Sequence, residues 1–314
     1  MGKVLQRNTK SSNRLKSVVA LALCFGAIHF NIALILFALF FLPLSKALLV
    51  FALLIVFMVL PANKNSYLGR KISRFIGKHV RSYFPITLHL DDDPQAFHPN
   101  QSYVFAYEPH SVFPFGIFAL LDNVDFPIPN IRFLVSSSVF YIPFLRQVWI
   151  WLGFTSVDKK NLISLLEAGN SCMLVPGGNR ETLFMEHGFE NVFLKERRGF
   201  VRIAMEMGHP LVPVFCFGQT KTYKWWKVPG KLIENIARSL KTIQLIFWGV
   251  LGSPIPFKNP LYVAVGRPIQ VEKILEPTRE QVAKVHSEFL EALQDLFERH
   301  KTQAGYTNLK LKFV

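Results

Sequence analysis

The chain has 314 residues, half of them apolar, and its 36 lysines and arginines against 21 acids give a net charge of +15. A mean hydropathy of +0.26 is high for a soluble protein and points to a membrane, while the length allows one large or two small domains with ample core. Cys24, Cys172 and Cys216 are odd in number and widely spaced, which excludes a disulfide framework and fits a reducing, cytosol-facing domain.

Charge is placed unevenly. Residues 1–16 carry Lys3, Arg7, Lys10, Arg14 and Lys16 without an acid, and residues 64–81 carry Lys64, Arg70, Lys71, Arg74, Lys78 and Arg81, again without one. The two clusters bracket the most apolar part of the chain, which suits an anionic membrane surface and argues against nucleic acid as a partner. Residues 17–63 therefore predict a membrane hairpin of two apolar segments, about 17–42 and 47–61, with a turn at Pro43, Ser45 and Lys46. The first segment is too long for a cleaved signal peptide, and no small-residue cleavage site follows it. The positive-inside rule puts both flanks in the cytosol, and a re-entrant wedge in one leaflet is the alternative to a two-span hairpin. His29 and Asn31 interrupt the first segment and are expected to hydrogen-bond between helices.

Residues 64–314 predict a cytosolic domain. From Tyr67 to Arg81, the apolar positions Leu68, Ile72, Phe75, Ile76 and Val80 recur at helical spacing among basic residues, as in an amphipathic helix on a membrane surface. The sequence Asp91-Asp92-Asp93-Pro94 predicts a turn, and Tyr103 to Tyr107 a strand. A short strand is expected at Ile131–Val135, a helix from Phe140 to Leu152 broken near Pro143, and a helix from an Asp158 N-cap to Gly169. Then come a buried strand at Ser171–Val175, a helix from Arg198 to Met207 capped by Gly208, and strands at Pro210–Phe217 and Tyr262–Val265. Thr278 and Gln281 form a capping box for a last helix with Val282, Val285, Phe289, Leu293, Leu296 and Phe297 on one face. Alternating strands and helices predict an α/β domain with a mainly parallel sheet, without repeats or low-complexity tracts.

Two stretches carry polar chemistry where strands end, which in such a sheet is the ligand crevice. In Glu108-Pro109-His110-Ser111, the proline stiffens the presentation of the histidine; in an extended chain Glu108 and His110 share a side, where a carboxylate would orient the imidazole. A structural histidine at a strand end is the plainer reading of that stretch alone. In Pro176-Gly177-Gly178-Asn179-Arg180-Glu181, the glycines allow close backbone approach and expose N–H donors to an anion or oxyanion. Arg180 adds a cation suited to phosphate, and Glu181 a carboxylate. Arg198 and Arg202 fall on one face at a helix start, a second place for a phosphate, although such runs are also ordinary solvated surface. The chain has no GxSxG elbow, no phosphate-binding glycine loop, no GxGxxG and no HExxH. Ser111 adjoins His110 but points away from it on an extended chain. Histidine acting as a base on a substrate hydroxyl remains.

In order along the chain, Tyr83-Phe84-Pro85, Glu108-Pro109-His110-Ser111, Pro176-Gly177-Gly178 with Glu181, Arg198-Gly199-Phe200-Val201-Arg202, Pro210 to Phe215 and Gly266-Arg267-Pro268-Ile269 resemble the motifs of the type-2 diacylglycerol acyltransferases. Glu-Pro-His-Ser resembles the plant branch, where animal members usually carry His-Pro-His-Gly. The resemblance implies an α/β acyltransferase domain behind a membrane hairpin. It implies transfer of an acyl group from acyl-CoA to diacylglycerol at the endoplasmic reticulum membrane and lipid-droplet contacts, with both termini cytosolic. Membrane lipids are implied partners, homo-oligomerisation is left open, and neither cofactor nor metal is expected. His110 becomes the general base, Glu181 (or Glu108) its orienting partner, Gly177 and Gly178 the oxyanion turn, and Arg180, Arg198 and Arg202 the acyl-CoA contacts. Tyr83, Phe84, Pro85, Pro109, Ser111, Pro176 and Gly199 support these motifs. Asn179-Arg180 replaces the family's usual Val-Gln and is closer to the glycerol-phosphate acyltransferases. Those enzymes place an aspartate five positions after the histidine, where this chain has Phe115. The tail Leu309-Lys310-Leu311-Lys312-Phe313 is similar to a hydrophobic, lysine-containing retrieval signal. The same chemistry on monoacylglycerol or a long-chain alcohol is the alternative. A non-enzymatic hairpin protein would explain residues 1–85 but not the two polar stretches.

Overall fold

A computed structural model of the chain describes every residue except 1–2, 8–12, 62, 64–65, 92–93, 122–125, 130, 232–234, 236–238 and 240–244. Asp92 and Asp93 of the expected Asp91–Pro94 turn, and part of each basic cluster, lie outside the described residues.

The first apolar segment is one helix, α1 (Arg14–Phe41), capped where the Asn13 side chain accepts from the Lys16 N–H, and the second is α2 (Leu44–Val59). α1 is long and apolar enough to cross a membrane. One face of its first half packs on the domain: Ala20 and Cys24 are fully buried, and Trp149 donates from Nε1 to the Cys24 carbonyl at 2.8 Å. Asn31 bonds to backbone rather than to a second apolar helix, donating to the carbonyls of Ala27 (2.6 Å) and Pro143 (3.0 Å).

Residues 3–7, expected as a separate basic terminus, form strand β1 (Lys3–Arg7) on the sheet edge, antiparallel to β2 (Ile86–Leu90). An edge strand needs only backbone partners, so its basic composition hides it. α3 (Tyr67–Tyr83) starts at Ser66, whose hydroxyl accepts from the Gly69 N–H, and runs two residues past the expected end. Its apolar stripe was expected on a lipid surface, but Ile76, Val80 and Tyr83 are buried in the core, leaving the basic face outside.

The sheet has eight strands in the order β1, β2, β11, β8, β3, β6, β4, β5. Its centre is parallel: β8 (Leu211–Phe217), β3 (Val104–Glu108), β6 (Ser171–Leu174), β4 (Ile131–Val135) and β5 (Phe154–Ser156). β11 (Leu261–Val265) turns the direction, antiparallel to β8 and parallel to β2. Phe105 and Tyr107 of β3 enter one core with α1, α3 and α4 (Leu145–Trp151); Val104 and Ala106 enter the other. That second core is filled by α5 (Lys159–Glu167), α6 (Gly199–Met207) and α7 (Arg279–Lys301). β3, β6, β8 and β11 are buried along their whole length, as strands between helix layers require.

α6 ends at Gly208 with φ 71°, and the capping box of α7 is formed, with Thr278 N–H donating to Gln281 Oε1 and Gln281 N–H to Thr278 Oγ1. Asp158 precedes α5 but makes no side-chain cap; it accepts from Ser156 Oγ. The tail is not a free signal: β12 (Lys310–Phe313) runs parallel to β7 (Phe189–Val192), and Leu309, Leu311 and Phe313 pack on the second core. A separate antiparallel pair, β9 (Lys224–Lys227) and β10 (Leu245–Trp248), completes the described strands.

Candidate active site

His110 follows the C-terminal end of β3, Gly177 and Gly178 follow β6, and Gln219 follows β8, so three adjacent parallel strands deliver their loops to one place. The Glu108–Pro109 peptide is cis, and Ser111 has φ 53°. Glu108 and His110 do not act side by side: Glu108 accepts from the Gly177 N–H, and the His110 ring faces the Ser111 carbonyl.

The imidazole of His110 is held by its neighbour. Nδ1 lies 2.8 Å from the Ser111 carbonyl. A carbonyl only accepts, so Nδ1 carries the proton of the neutral ring and Nε2 keeps the lone pair. Burial pulls the ring below the ordinary imidazole value of 6.5, against hydrogen bonds to the Ser111 carbonyl and the Asn179 side chain that favour the charged form. The neutral form, the one a base requires, dominates at pH 7.

Both carboxylates bond to backbone instead of to the ring. Glu181 accepts from the N–H of His110 at 2.5 Å and of Phe193 at 3.2 Å. Glu108 accepts from the Gly177 N–H at 3.2 Å. The expectation that Glu181 or Glu108 sets the histidine tautomer is thus corrected: Ser111 sets it, and the carboxylates buckle the loops together. Burial and the neighbouring Glu181 carboxylate hold Glu108 well above the ordinary carboxyl range. Burial also raises Glu181, but the backbone donors favour its charge, so of this pair Glu108 carries the proton.

The glycines serve the same buckle. A Cβ at Gly177 would collide with Glu181 Oε2, and Gly178 adopts φ 56°. Their N–H groups are already spent, Gly177 on Glu108 and Gly178 on the Val175 carbonyl at 3.1 Å. The expected oxyanion donors are therefore not these two.

The arginines separate. Arg180 is exposed and lies over the Phe193 ring, 4.8 Å from its centroid, with Arg197 at 5.0 Å. Arg197 also donates to the Gly177 carbonyl at 3.3 Å. Arg198, Gly199 and Arg202 line a separate cleft of about 260 Å³ with Arg279. Tyr83, Phe84 and Pro85 are structural: Tyr83 donates to the Pro256 carbonyl at 2.5 Å, Phe84 is buried against Phe115, and the Pro85 carbonyl accepts from Leu261.

Two residues escaped sequence reasoning. Gln219, fully buried, donates to the Pro109 carbonyl at 2.5 Å and accepts from Tyr107 Oη and the Gly116 N–H, clamping the histidine loop. A polar residue one glycine beyond an apolar strand was its only signal. Glu190 accepts from Thr220 Oγ1 at 2.5 Å, and burial pushes its carboxyl up to about 8. It lines a cavity of about 500 Å³ beside the histidine loop, together with Pro109, Ser111, Glu181, Trp225 and Tyr306. The wall continues along Gly305 to Leu309, which leads into β12.

A protein-family profile described as "Diacylglycerol acyltransferase" matches residues 38–313. Over 259 residues the chain is 33% identical to "Diacylglycerol O-acyltransferase 2" of Dictyostelium discoideum, covering 76% of this chain and 78% of that protein. It is 33% identical to "2-acylglycerol O-acyltransferase 1" of Bos taurus (73% of each chain) and 31% identical to human "Acyl-CoA wax alcohol acyltransferase 2" (73% of each).

Proposed function

Because the chain belongs to the diacylglycerol acyltransferase family and is an acyl-CoA-dependent acyltransferase of glycerolipids, we propose that it acylates the free hydroxyl of diacylglycerol, with His110 as general base. The observation that carries the base assignment is the Nδ1 contact to the Ser111 carbonyl, which leaves Nε2 as the accepting nitrogen. In this reading the diacylglycerol hydroxyl gives its proton to Nε2 as its oxygen attacks the thioester carbonyl of acyl-CoA. The tetrahedral oxyanion collapses, the C–S bond breaks, and the thiolate of CoA takes the proton back from Nε2. The ester and free CoA leave, and the ring returns to its starting tautomer. General base catalysis of this kind supplies roughly 10²–10⁴-fold. Arg180 beside the loop, and Arg198 with Arg202 in their cleft, are the cations offered to the phosphates of CoA.

We read the α1–α2 pair as a shallow wedge in one leaflet. Asn31 of α1 is tied to the Pro143 carbonyl, while near the end of α2 Leu60 accepts from Arg146 and the Phe57 ring meets that of Phe144 at 4.8 Å, tilted by 41°. Residues 32–41 and 44–56 lie beyond these ties, and at 1.5 Å per residue they rise about 15 and 20 Å, against about 30 Å of hydrocarbon. Phe40, Phe41 and Leu44 at the tip are each about three-quarters exposed, with values of 75%, 74% and 74%. Packing thus favours the re-entrant alternative over a two-span hairpin, on an endoplasmic reticulum or lipid-droplet surface. A wedge leaves the catalytic loops within reach of acyl chains in the same leaflet.

Relatives named for 2-acylglycerol and wax alcohol match at similar identity, which supports monoacylglycerol or a long-chain alcohol as the second reading. Microsomes bearing the protein, given labelled acyl-CoA and equal amounts of the three acceptors, separate them. Triacylglycerol as the dominant product supports the first reading; dominant diacylglycerol or wax ester replaces it.

A further inference from the structure

Three strands away from Glu108, next to the β1 edge of the sheet, a second polar cluster is buried. His89 lies on β2, Asp91 just beyond it, and His300 in the last turn of α7. His89 and His300 are 6% and 4% exposed, and one ligand-type atom from each of the three side chains lies within 4.8 Å of the other two. His300 Nε2 is 3.0 Å from Asp91 Oδ1, and the two imidazole rings meet edge to face at 4.7 Å.

Taken as hydrogen bonding alone, this cluster is incomplete. Asp91 is served on Oδ1 by His300 and on Oδ2 by Arg299, and His300 Nδ1 pairs with Tyr262 Oη at 3.0 Å. His89 Nδ1 is buried without a hydrogen-bond partner. A buried polar atom left unpaired beside a second imidazole and a carboxylate calls for a missing partner.

We propose that His89, Asp91 and His300 form a divalent-cation site of the zinc class that staples the end of α7 to strands β2 and β11. Two imidazoles and a carboxylate are a borderline N/O donor set, which zinc prefers over magnesium or calcium. Zinc bonds of about 2.0–2.1 Å place tetrahedral ligand atoms about 3.3 Å apart, so the cluster needs only a small contraction of its side chains. The outer partners are in place: Tyr262 can accept from His300 Nδ1 while Nε2 binds metal, and Arg299 holds the second carboxylate oxygen. The Arg299 charge opposes a cation, but its side chain is 41% exposed and water screens it. No motif announced the site, because 209 residues separate Asp91 from its His300 partner.

The test uses the full chain, purified in detergent, stripped with a chelator and dialysed, then titrated with cobalt(II) and zinc. The expected result is one saturable equivalent of cobalt with the visible bands of a tetrahedral ion, displaced by zinc. Zinc should also raise the unfolding temperature of the wild type. In His89→Gln and Asp91→Asn, both the bands and the zinc-dependent rise should be lost, while metal-free unfolding of each variant reports its fold. The wild-type titration alone can overturn the proposal, if binding is unsaturable or the cobalt spectrum is that of solvated ion. Saturable binding that survives in both variants would overturn it as well.

Discussion

The Glu181 carboxylate meets His110 at the backbone N–H, 2.5 Å away, and leaves the imidazole to the carbonyl of Ser111. It positions the histidine by fixing the loop, and it does so from a buried place where it also accepts from the Phe193 N–H. Glu181→Ala strands both donors, each at a cost of about 1–3 kcal/mol. The expected outcome is a lower unfolding temperature together with a fall in turnover. The acid limb of the pH–rate profile should stay in place, because the carboxylate is not a partner of the ring. A shifted limb would show that Glu181 tunes the base directly.

The pH dependence of wild-type activity follows from His110. Burial lowers its pKa below 6.5, so activity should be flat near neutrality and fall on the acid side, below that value, as Nε2 becomes protonated. The Asn179 hydrogen bond favours the protonated ring. Asn179→Val removes it, lowers the pKa further, and should move the acid limb of the rate profile to lower pH while leaving the neutral-pH rate within a few-fold. Rates across pH 5 to 8 in microsomes check the direction; a limb moved upward contradicts it.

Glu190 carries a stability cost that depends on pH. Its folded value, pushed up to about 8 by burial, lies above an ordinary carboxyl value of 4.5. A raised value means that its contribution is most favourable below pH 4.5 and is lost as pH rises towards 8. Glu190→Gln removes the titration, so the variant should gain on the wild type between pH 5 and pH 8, by up to a few kcal/mol after allowance for water in the cavity. Unfolding curves at the two pH values decide it, and a constant difference would rule the assignment out.

The tail separates a signal from a wall. In β12 the alternate residues Lys310 and Lys312 are exposed, whereas Leu311 and Phe313 pack on the second core. Lys310→Ala with Lys312→Ala should leave specific activity unchanged whatever happens to localisation. Leu311→Asp should lower both specific activity and unfolding temperature, since β12 continues from the cavity wall. Equal activity in the two variants would return the tail to the role of a free signal.

Much of the fold was legible because long apolar periodicities carry it. The strand expected at Ile131–Val135 matches to the residue, and the Thr278–Gln281 box marks the start of α7 where it occurs. β1, β2 and β12 were not legible. They are short, and β1 and β12 are lysine-bearing edge strands whose few apolar side chains give no long periodicity to read. At the site, the sequence located the loops but not the partners. His110, Gly177, Gly178, Glu108 and Glu181 do converge, because strand ends set their positions. The roles moved because the carboxylates face backbone N–H groups while the ring faces the Ser111 carbonyl, tertiary contacts that spacing along the sequence does not carry. Likewise, the stripe on α3 could not tell a lipid surface from a protein core.

The central claim is that the Nε2 lone pair of His110 takes the acceptor proton. The direct measurement is triacylglycerol synthesis from labelled acyl-CoA and diacylglycerol, in microsomes of a yeast strain lacking its own synthesis, comparing wild type with His110→Ala at matched expression. The account predicts labelled triacylglycerol from the wild type and a loss of roughly 10²–10⁴-fold in the variant, with the protein still folded. An unchanged rate in the folded variant would contradict it.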